Sequence, residues 1–133
     1  MSENVATSDK LQRTILVVDD FDDTRLLLRT WLEKKGFRIL EAQNGIQAVA
    51  QAKTEHPDLI IMDVEMPELD GLSATRLIRK GERAHRVPIV AVSAYGADLF
   101  REDALAAGCD EYVSTPFEPA ELEKVIRDLM LPR

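Results

Sequence analysis

Three apolar runs constrain most strongly what this chain can fold into. Ile15-Leu16-Val17-Val18, Leu59-Ile60-Ile61-Met62 and Ile89-Val90-Ala91-Val92 are continuous rather than alternating. A strand with one wet face alternates apolar and polar residues, whereas a strand buried on both faces of a parallel sheet reads as an unbroken apolar run. Arg38 to Ala42 and Glu111 to Val113 are weaker runs that suit sheet edges.

Helical patterns fill the gaps. Leu28, Trp31 and Leu32 fall at i, i+3 and i+4, with Gly36 placed to end the helix. Asn44 can cap a helix showing Ile46, Val49 and Ala50 on one side, and Asp70 one showing Ala74, Leu77 and Ile78. Ala97 to Ala107 is the poorest helix, held by Phe100, Ala104 and Ala107 and ended by Gly108. Pro119 suits a first helical turn, and Leu122, Val125, Ile126, Leu129 and Met130 follow as the clearest stripe. Five strand–helix pairs in strict alternation predict a doubly wound α/β fold with a parallel sheet and right-handed crossovers.

The 133 residues fit one domain, long enough to bury a core without metal or disulfide staples. Residues 1–12 are polar and aperiodic and read as a flexible leader, which leaves 13–133 as the domain. No output module is expected to follow Met130. Aromatics are only 5%, so the core must be aliphatic. A net charge of −7 repels nucleic-acid phosphates and anionic lipid, which argues against DNA or membrane as direct partners. Cys109 is the single cysteine, so no internal disulfide can form. No apolar run approaches the roughly 20 residues that span a bilayer, and Met1 to Lys10 lacks the pattern of a signal peptide. A cytoplasmic protein is expected.

In open α/β sheets function gathers at the carboxyl ends of the strands. Asp19 and Asp20 directly follow the first strand and Asp63 follows the third. Each alone could be a turn former or helix cap, but if the strands are neighbours the three carboxylates converge. Like charges about 4 Å apart repel by about 4 kcal/mol at an effective dielectric of about 20. Either a carboxyl stays protonated or a cation sits among them. All-oxygen ligands in a partly hydrated cleft suit Mg²⁺, which neutralises charge during phosphoryl transfer. A carboxylate beside it can serve as nucleophile and become an acyl phosphate. The loop Asp19-Asp20-Phe21-Asp22-Asp23 is the opposite of the glycine-rich turn that receives a nucleotide phosphate.

The motifs Ile-Leu-Val-Val-Asp19-Asp20, Ile-Ile-Met-Asp63-Val-Glu-Met-Pro67-Glu-Leu-Asp-Gly71, Val-Ser93-Ala and Tyr112-Val-Ser-Thr115-Pro116-Phe resemble response-regulator receiver domains, over about Thr14 to Met130. The resemblance implies a flavodoxin-like five-stranded sheet of order 2-1-3-4-5. It implies Asp63 as phosphoacceptor, served by a histidine kinase or a histidine phosphotransfer protein. Asp20 and Asp63 would ligate Mg²⁺ directly, Asp19 through water, and the backbone carbonyl of Glu65 would complete the protein ligands. Ser93 would be the switch hydroxyl and Tyr112 the switch aromatic; Glu65 and Tyr95 would occupy positions that tune dephosphorylation.

One position departs from the pattern. Such domains carry lysine before the proline of the fifth loop, where this chain has Thr115, a neutral hydroxyl. Phosphorylation is expected to persist and to lean more heavily on Mg²⁺. The bond before Pro116 is left open between cis and trans.

Plainer readings stand beside these. Ser93 also reads as a loop serine and Tyr112 as a packed aromatic. Met66-Pro67 and Asp70-Gly71 are turn chemistry, Trp31 is core, and Glu82 to Arg86 is a solvated loop. Cys109 reads as inert, and His56 and His85 as solvated.

The leading expectation is a phosphorylation-controlled binding module, not an enzyme, acting on a downstream protein as a monomer or weak dimer. The charged residues Arg101, Glu102, Asp103, Glu121, Lys124 and Arg127 could pair across such a dimer, each pair contributing little. The alternative is a degenerate receiver that binds partners regardless of phosphorylation. An aspartate phosphohydrolase is disfavoured, because those enzymes resemble Asp-x-Asp after the first strand, whereas here Val64 and Glu65 follow Asp63 on the third.

Overall fold

The computed structural model describes residues 12–66, 69–82, 85–93, 101–116 and 118–130. Among them five strands and five helices alternate. They are β1 (Thr14–Val18), α1 (Asp22–Lys34), β2 (Arg38–Ala42), α2 (Gly45–Glu55), β3 (Leu59–Asp63), α3 (Gly71–Gly81), β4 (Ile89–Ser93), α4 (Arg101–Ala107), β5 (Glu111–Ser114) and α5 (Pro119–Met130). The strands pair in parallel in the order β2-β1-β3-β4-β5, the doubly wound flavodoxin-like arrangement. The three continuous apolar runs are the three interior strands, and the two weaker runs lie at the edges.

Alternation along each strand feeds two cores. Leu16, Val18, Ile60, Met62, Ile89 and Ala91 pack with Ala48 of α2, Ala74 and Ile78 of α3 and Ala104 of α4. Ile15, Val17, Leu59, Ile61 and Val90 pack on the other face with Leu32 of α1 and Leu122 and Ile126 of α5. Trp31 joins that second core at its margin. Both cores are aliphatic, as the low aromatic content requires.

The expected faces hold in part on two helices, since Ala74 and Ile78 of α3 are buried and Val49 of α2 packs against the first core, but three other residues turn outward. On α2 the buried residues are Gly45 and Ala48, while Ile46 is 60% exposed and Ala50 also faces solvent. The cause is close approach at the helix start, where a Cβ on Gly45 would sit 2.3 Å from the Leu69 carbonyl oxygen. Only a bare backbone fits there, which turns Ile46 outward. On α3 the inward row is Gly71, Ala74, Thr75 and Ile78, and Leu77 is partly exposed. Thr75 tolerates burial because its hydroxyl donates to the Gly71 carbonyl at 2.8 Å.

The helix starts follow capping chemistry. Asn44 Oδ1 accepts from the Gln47 N–H at 2.8 Å and Asp70 Oδ1 from the Ser73 N–H at 2.9 Å. Gly36 and Gly108 have positive φ after α1 and α4, and His56 takes the left-handed conformation at the end of α2. The expected start of the fourth helix, Ala97 to Phe100, the polar leader to residue 11 and Tyr95 lie outside the described residues.

At the amino-terminal edge of the sheet, Arg79 near the end of α3 acts as a clamp. Its guanidinium donates to the carbonyls of Gly108 (2.9 Å) and Val87 (2.6 Å) and pairs with Asp110 and Glu82. Asp110 also accepts from the Ile89 N–H at 2.8 Å and pairs with Arg86. The expected solvated loop after α3 is therefore partly structural, since Glu82 and Arg86 belong to this network.

Gly71 joins fold to site. A Cβ there would lie 2.0 Å from the Asp63 carbonyl oxygen, and its N–H donates to the Val64 carbonyl at 3.0 Å. Backbone cannot yield as a flexible side chain could. Gly71→Ala is expected to destabilise the domain by about 1–3 kcal/mol, measured as a fall in urea midpoint at unchanged m-value. An unchanged midpoint would refute the close approach.

Candidate functional site

Because β1 and β3 are direct neighbours with Val18 opposite Met62, Asp19, just after β1, and Asp63, the last residue of β3, stand at the same level at the carboxyl edge of the sheet. Strands in a sheet lie about 4.8 Å apart, so Asp19 and Asp63 are delivered side by side. Asp20 completes the group, with one carboxylate oxygen from each of the three residues within 4.8 Å of the others. The expected convergence is thus what the fold produces. Asp19 and Asp63 are half-buried and Asp20 is exposed.

Local backbone holds these carboxylates in place. Asp19 Oδ1 accepts from the Phe21 N–H at 2.8 Å, and Asp63 Oδ1 accepts from the Glu65 N–H at 3.1 Å. The Val64 N–H donates across to the Val92 carbonyl at 2.9 Å, tying the loop after Asp63 to β4.

Packing negative groups together is costly, and their proton affinities show it. Burial, repulsion from Asp19 and, less strongly, the charge of Asp20 push the Asp63 carboxyl up to about 7, against the lowering effect of the Glu65 N–H. Burial also raises Asp19, with repulsion from Asp20 adding to it, while the Phe21 N–H and Arg25 oppose the rise.

The remaining expected residues fall around this cluster at different depths. Ser93 ends β4, one residue beyond the level of Asp63, and is fully buried. Its carbonyl accepts from both the Thr115 N–H (2.8 Å) and the Thr115 hydroxyl (3.3 Å). The Thr115 side chain is therefore committed to bracing β4 against the β5 end. The Thr115–Pro116 bond is cis. Tyr112 lies deeper, opposite Ala91, buried in the core beneath α4, with the Arg101 guanidinium 5.3 Å from its ring centroid. Glu65 has an exposed side chain, two residues beyond Asp63.

Of the other candidates, Cys109 is buried beside Thr75, and burial raises its thiol pKa, consistent with an inert cysteine. His56 and His85 are exposed. Among the described residues, Asp19, Asp20 and Asp63 form the acidic group able to hold a metal ion. Three hard oxygen donors, partly open to water and repelling one another, fit a small divalent cation such as Mg²⁺.

A family model for the response regulator receiver domain matches residues 15–127. The chain belongs to that family. The receiver domain is similar to DivK, a polar-differentiation response regulator of Brucella ovis, at 28% identity over 90% of this chain and 98% of that protein. Regulator ycf27 of Cyanophora paradoxa is 39% identical over 119 residues, but this chain spans only 48% of its length. Among solved structures, the receiver domain of the sensor histidine kinase PA1611 of Pseudomonas aeruginosa is 38% identical. It matches 90% of this chain and 98% of its own at a TM-score of 0.82, and it carries a magnesium ion in its active-site cleft. The chain is a receiver domain of the phosphorelay signalling family.

Sequence reasoning missed Arg25, one of the few buried charged residues among those described. Its guanidinium reaches Asp19, Asp22 and Glu41 beside the acidic cluster. A signal was present, because Arg25, Leu28 and Leu32 fall at i, i+3 and i+7 on the buried stripe of α1.

The raised Asp63 carboxyl links the site to stability. Between about pH 4 and 7 the folded receiver holds a proton that the unfolded chain has released, so this group's contribution declines as pH rises. In metal-free buffer Asp63→Asn is expected to be more stable than the parent at pH 7.5. The gain is about 1–3 kcal/mol after allowance for solvent screening, shrinking towards pH 4. Denaturation midpoints of the two proteins across that range check it; parallel curves would contradict it.

Proposed function

We propose that this receiver domain accepts a phosphoryl group on Asp63 from a phosphohistidine of a histidine kinase or histidine phosphotransfer protein, in a Mg²⁺-dependent reaction, and thereby switches a protein-binding face. The supporting observation is the meeting of three carboxylates within 4.8 Å at the β1/β3 crossover, where doubly wound sheets carry their sites. The magnesium in the similar Pseudomonas receiver supports the choice of metal.

Asp19, Asp20, Asp63 and the backbone carbonyl of Glu65 would hold the ion. When bound, Mg²⁺ supplies positive charge that draws the Asp63 proton off and offsets the charge on the transferring oxygens. In the transfer an Asp63 carboxylate oxygen forms the new bond to phosphorus. The donor's N–P bond breaks, and its electron pair stays on the imidazole nitrogen. Glu65 N–H and Phe21 N–H keep the Asp63 and Asp19 carboxylates aimed while this occurs. The Ser93 hydroxyl, at the neighbouring strand end, is the donor that follows the new phosphoryl oxygens, and Tyr112 carries the change to the α4–β5–α5 face.

The readout is a protein partner, met by a monomer or weak dimer. The net charge of −7 opposes nucleic acid and anionic membrane as partners, and a cytoplasmic location accords with this. Among the described residues no helix is long and apolar enough to cross a membrane.

A second reading, a degenerate receiver that binds partners regardless of phosphorylation, draws on one observation. The Thr115 hydroxyl is tied to the Ser93 carbonyl, so the position that carries lysine in the family pattern offers no ammonium to the phosphoryl group.

Incubation with Mg²⁺ and acetyl phosphate, followed by intact mass measurement, tests the main reading. The parent is expected to gain one phosphoryl mass, whereas Asp63→Ala, or the parent with a chelator, gains none. An unlabelled parent would leave the second reading standing. Thr115→Lys addresses the departure itself, since the added ammonium should lower the Mg²⁺ concentration giving half-maximal labelling. An unmoved midpoint would show that this position does not set the metal requirement.

A further inference from the structure

We propose that Arg25 is a positioning residue for the metal site, its guanidinium fixing the Asp19–Asp20 peptide so that both carboxylates meet Asp63. The inference rests on the reading of that cluster as a Mg²⁺ site and extends it to a residue outside the cluster.

The argument begins with burial. The Arg25 side chain is only 9% exposed, and a charged group in that state requires full pairing. Its planar fork reaches three segments of chain. Nε donates to Glu41 Oε1 at the end of β2 (2.9 Å), Nη2 to Asp22 Oδ1 in the first turn of α1 (2.6 Å), and Nη1 to the carbonyl of Asp19 (2.7 Å). Glu41 and Asp22 balance the charge. The third bond goes to a neutral oxygen, so its consequence is geometric.

That carbonyl belongs to the peptide leading into Asp20. A peptide unit is planar, so holding its oxygen sets the direction in which the next Cα departs. The same short loop is held at its other end, where the Arg25 N–H donates to the Phe21 carbonyl at 3.0 Å. The Asp19 N–H in turn donates to the Ala42 carbonyl at 3.1 Å. The loop carrying two of the three carboxylates thus hangs between β2 and the first turn of α1, and Arg25 ties both supports to it. Without that tie, repulsion within the cluster would splay Asp20 towards solvent.

Lysine keeps the charge but cannot reproduce a three-acceptor fork, which separates positioning from simple charge balance. Arg79 supplies a matched control, being another largely buried arginine that clamps loops at the opposite edge of the sheet.

The experiment is calorimetric titration of Mg²⁺ into the folded parent, Arg25→Gln, Arg25→Lys and Arg79→Gln, with thermal stability recorded for each. Removing a partner that orients metal ligands weakens metal affinity by about 10–100-fold, which is the expected range for Arg25→Gln, with Arg25→Lys between it and the parent. Arg79→Gln should lose thermal stability while its Mg²⁺ affinity stays within about twofold of the parent. Parent-like affinity in Arg25→Gln, or an equal loss in Arg79→Gln, would overturn the proposal. If Arg25→Gln does not fold, Arg25→Lys decides, and parent-like affinity there overturns it. A parent that binds no Mg²⁺ would instead remove the site reading itself, an outcome visible without any variant.

Discussion

The parallel pairing of β1 with β3 is the constraint on which the rest of this molecule depends. With Val18 set opposite Met62, the chain has no freedom to separate Asp19 from Asp63, because one directly follows and the other ends a strand whose register is fixed by burial on both faces. Shifting one strand by a single residue would send its apolar side chains to the wrong core. The repulsion at the site is therefore sustained by the hydrophobic burial of Ile15 to Val18 and Leu59 to Met62, all at most about 1% exposed. The backbone donors of Phe21 and Glu65 and the glycine contact at position 71 adjust the geometry that this pairing imposes.

The strands were legible in the sequence because a parallel interior strand leaves an unmistakable mark, an apolar run with no polar alternation. Helix existence was legible too, through Asn44, Asp70 and the positive-φ glycines. The helix faces were legible only in part, through Val49, Ala74 and Ile78. Ile46 and Leu77 looked inward because they are large and apolar, but the buried residues are Gly45 and Ala48 on α2 and Gly71, Ala74, Thr75 and Ile78 on α3. The approach of Gly45 to Leu69 and of Gly71 to Asp63 is a tertiary demand. Hydrophobic pattern reports what a residue prefers, and close helix packing is decided by what fits.

The acid cluster was legible for the same reason as the strands, since its members stand at the carboxyl ends of two of them. Glu82 and Arg86 were misread in the opposite direction. They have the composition of a wet loop, yet they serve the Arg79–Asp110 network. Arg25 and Arg79 share a cause of concealment. A buried arginine satisfied by carbonyls and carboxylates from distant segments has no local signature beyond its place on a helical stripe, and charge alone argues for solvent.

The two arginines divide the labour of the fold between its edges. Arg79 joins α3, the entry to β4 and the α4–β5 turn at the edge remote from the acidic cluster, where only scaffold is needed. Arg25 joins β2, α1 and the Asp19 backbone at the edge where like charges collect. Raising the Asp63 carboxyl to about 7 means that protonation relieves part of the electrostatic conflict, and a divalent cation would relieve it in the same way. Ser93, buried one residue beyond Asp63 and braced through its carbonyl by Thr115, is the strand end that lies beside this group.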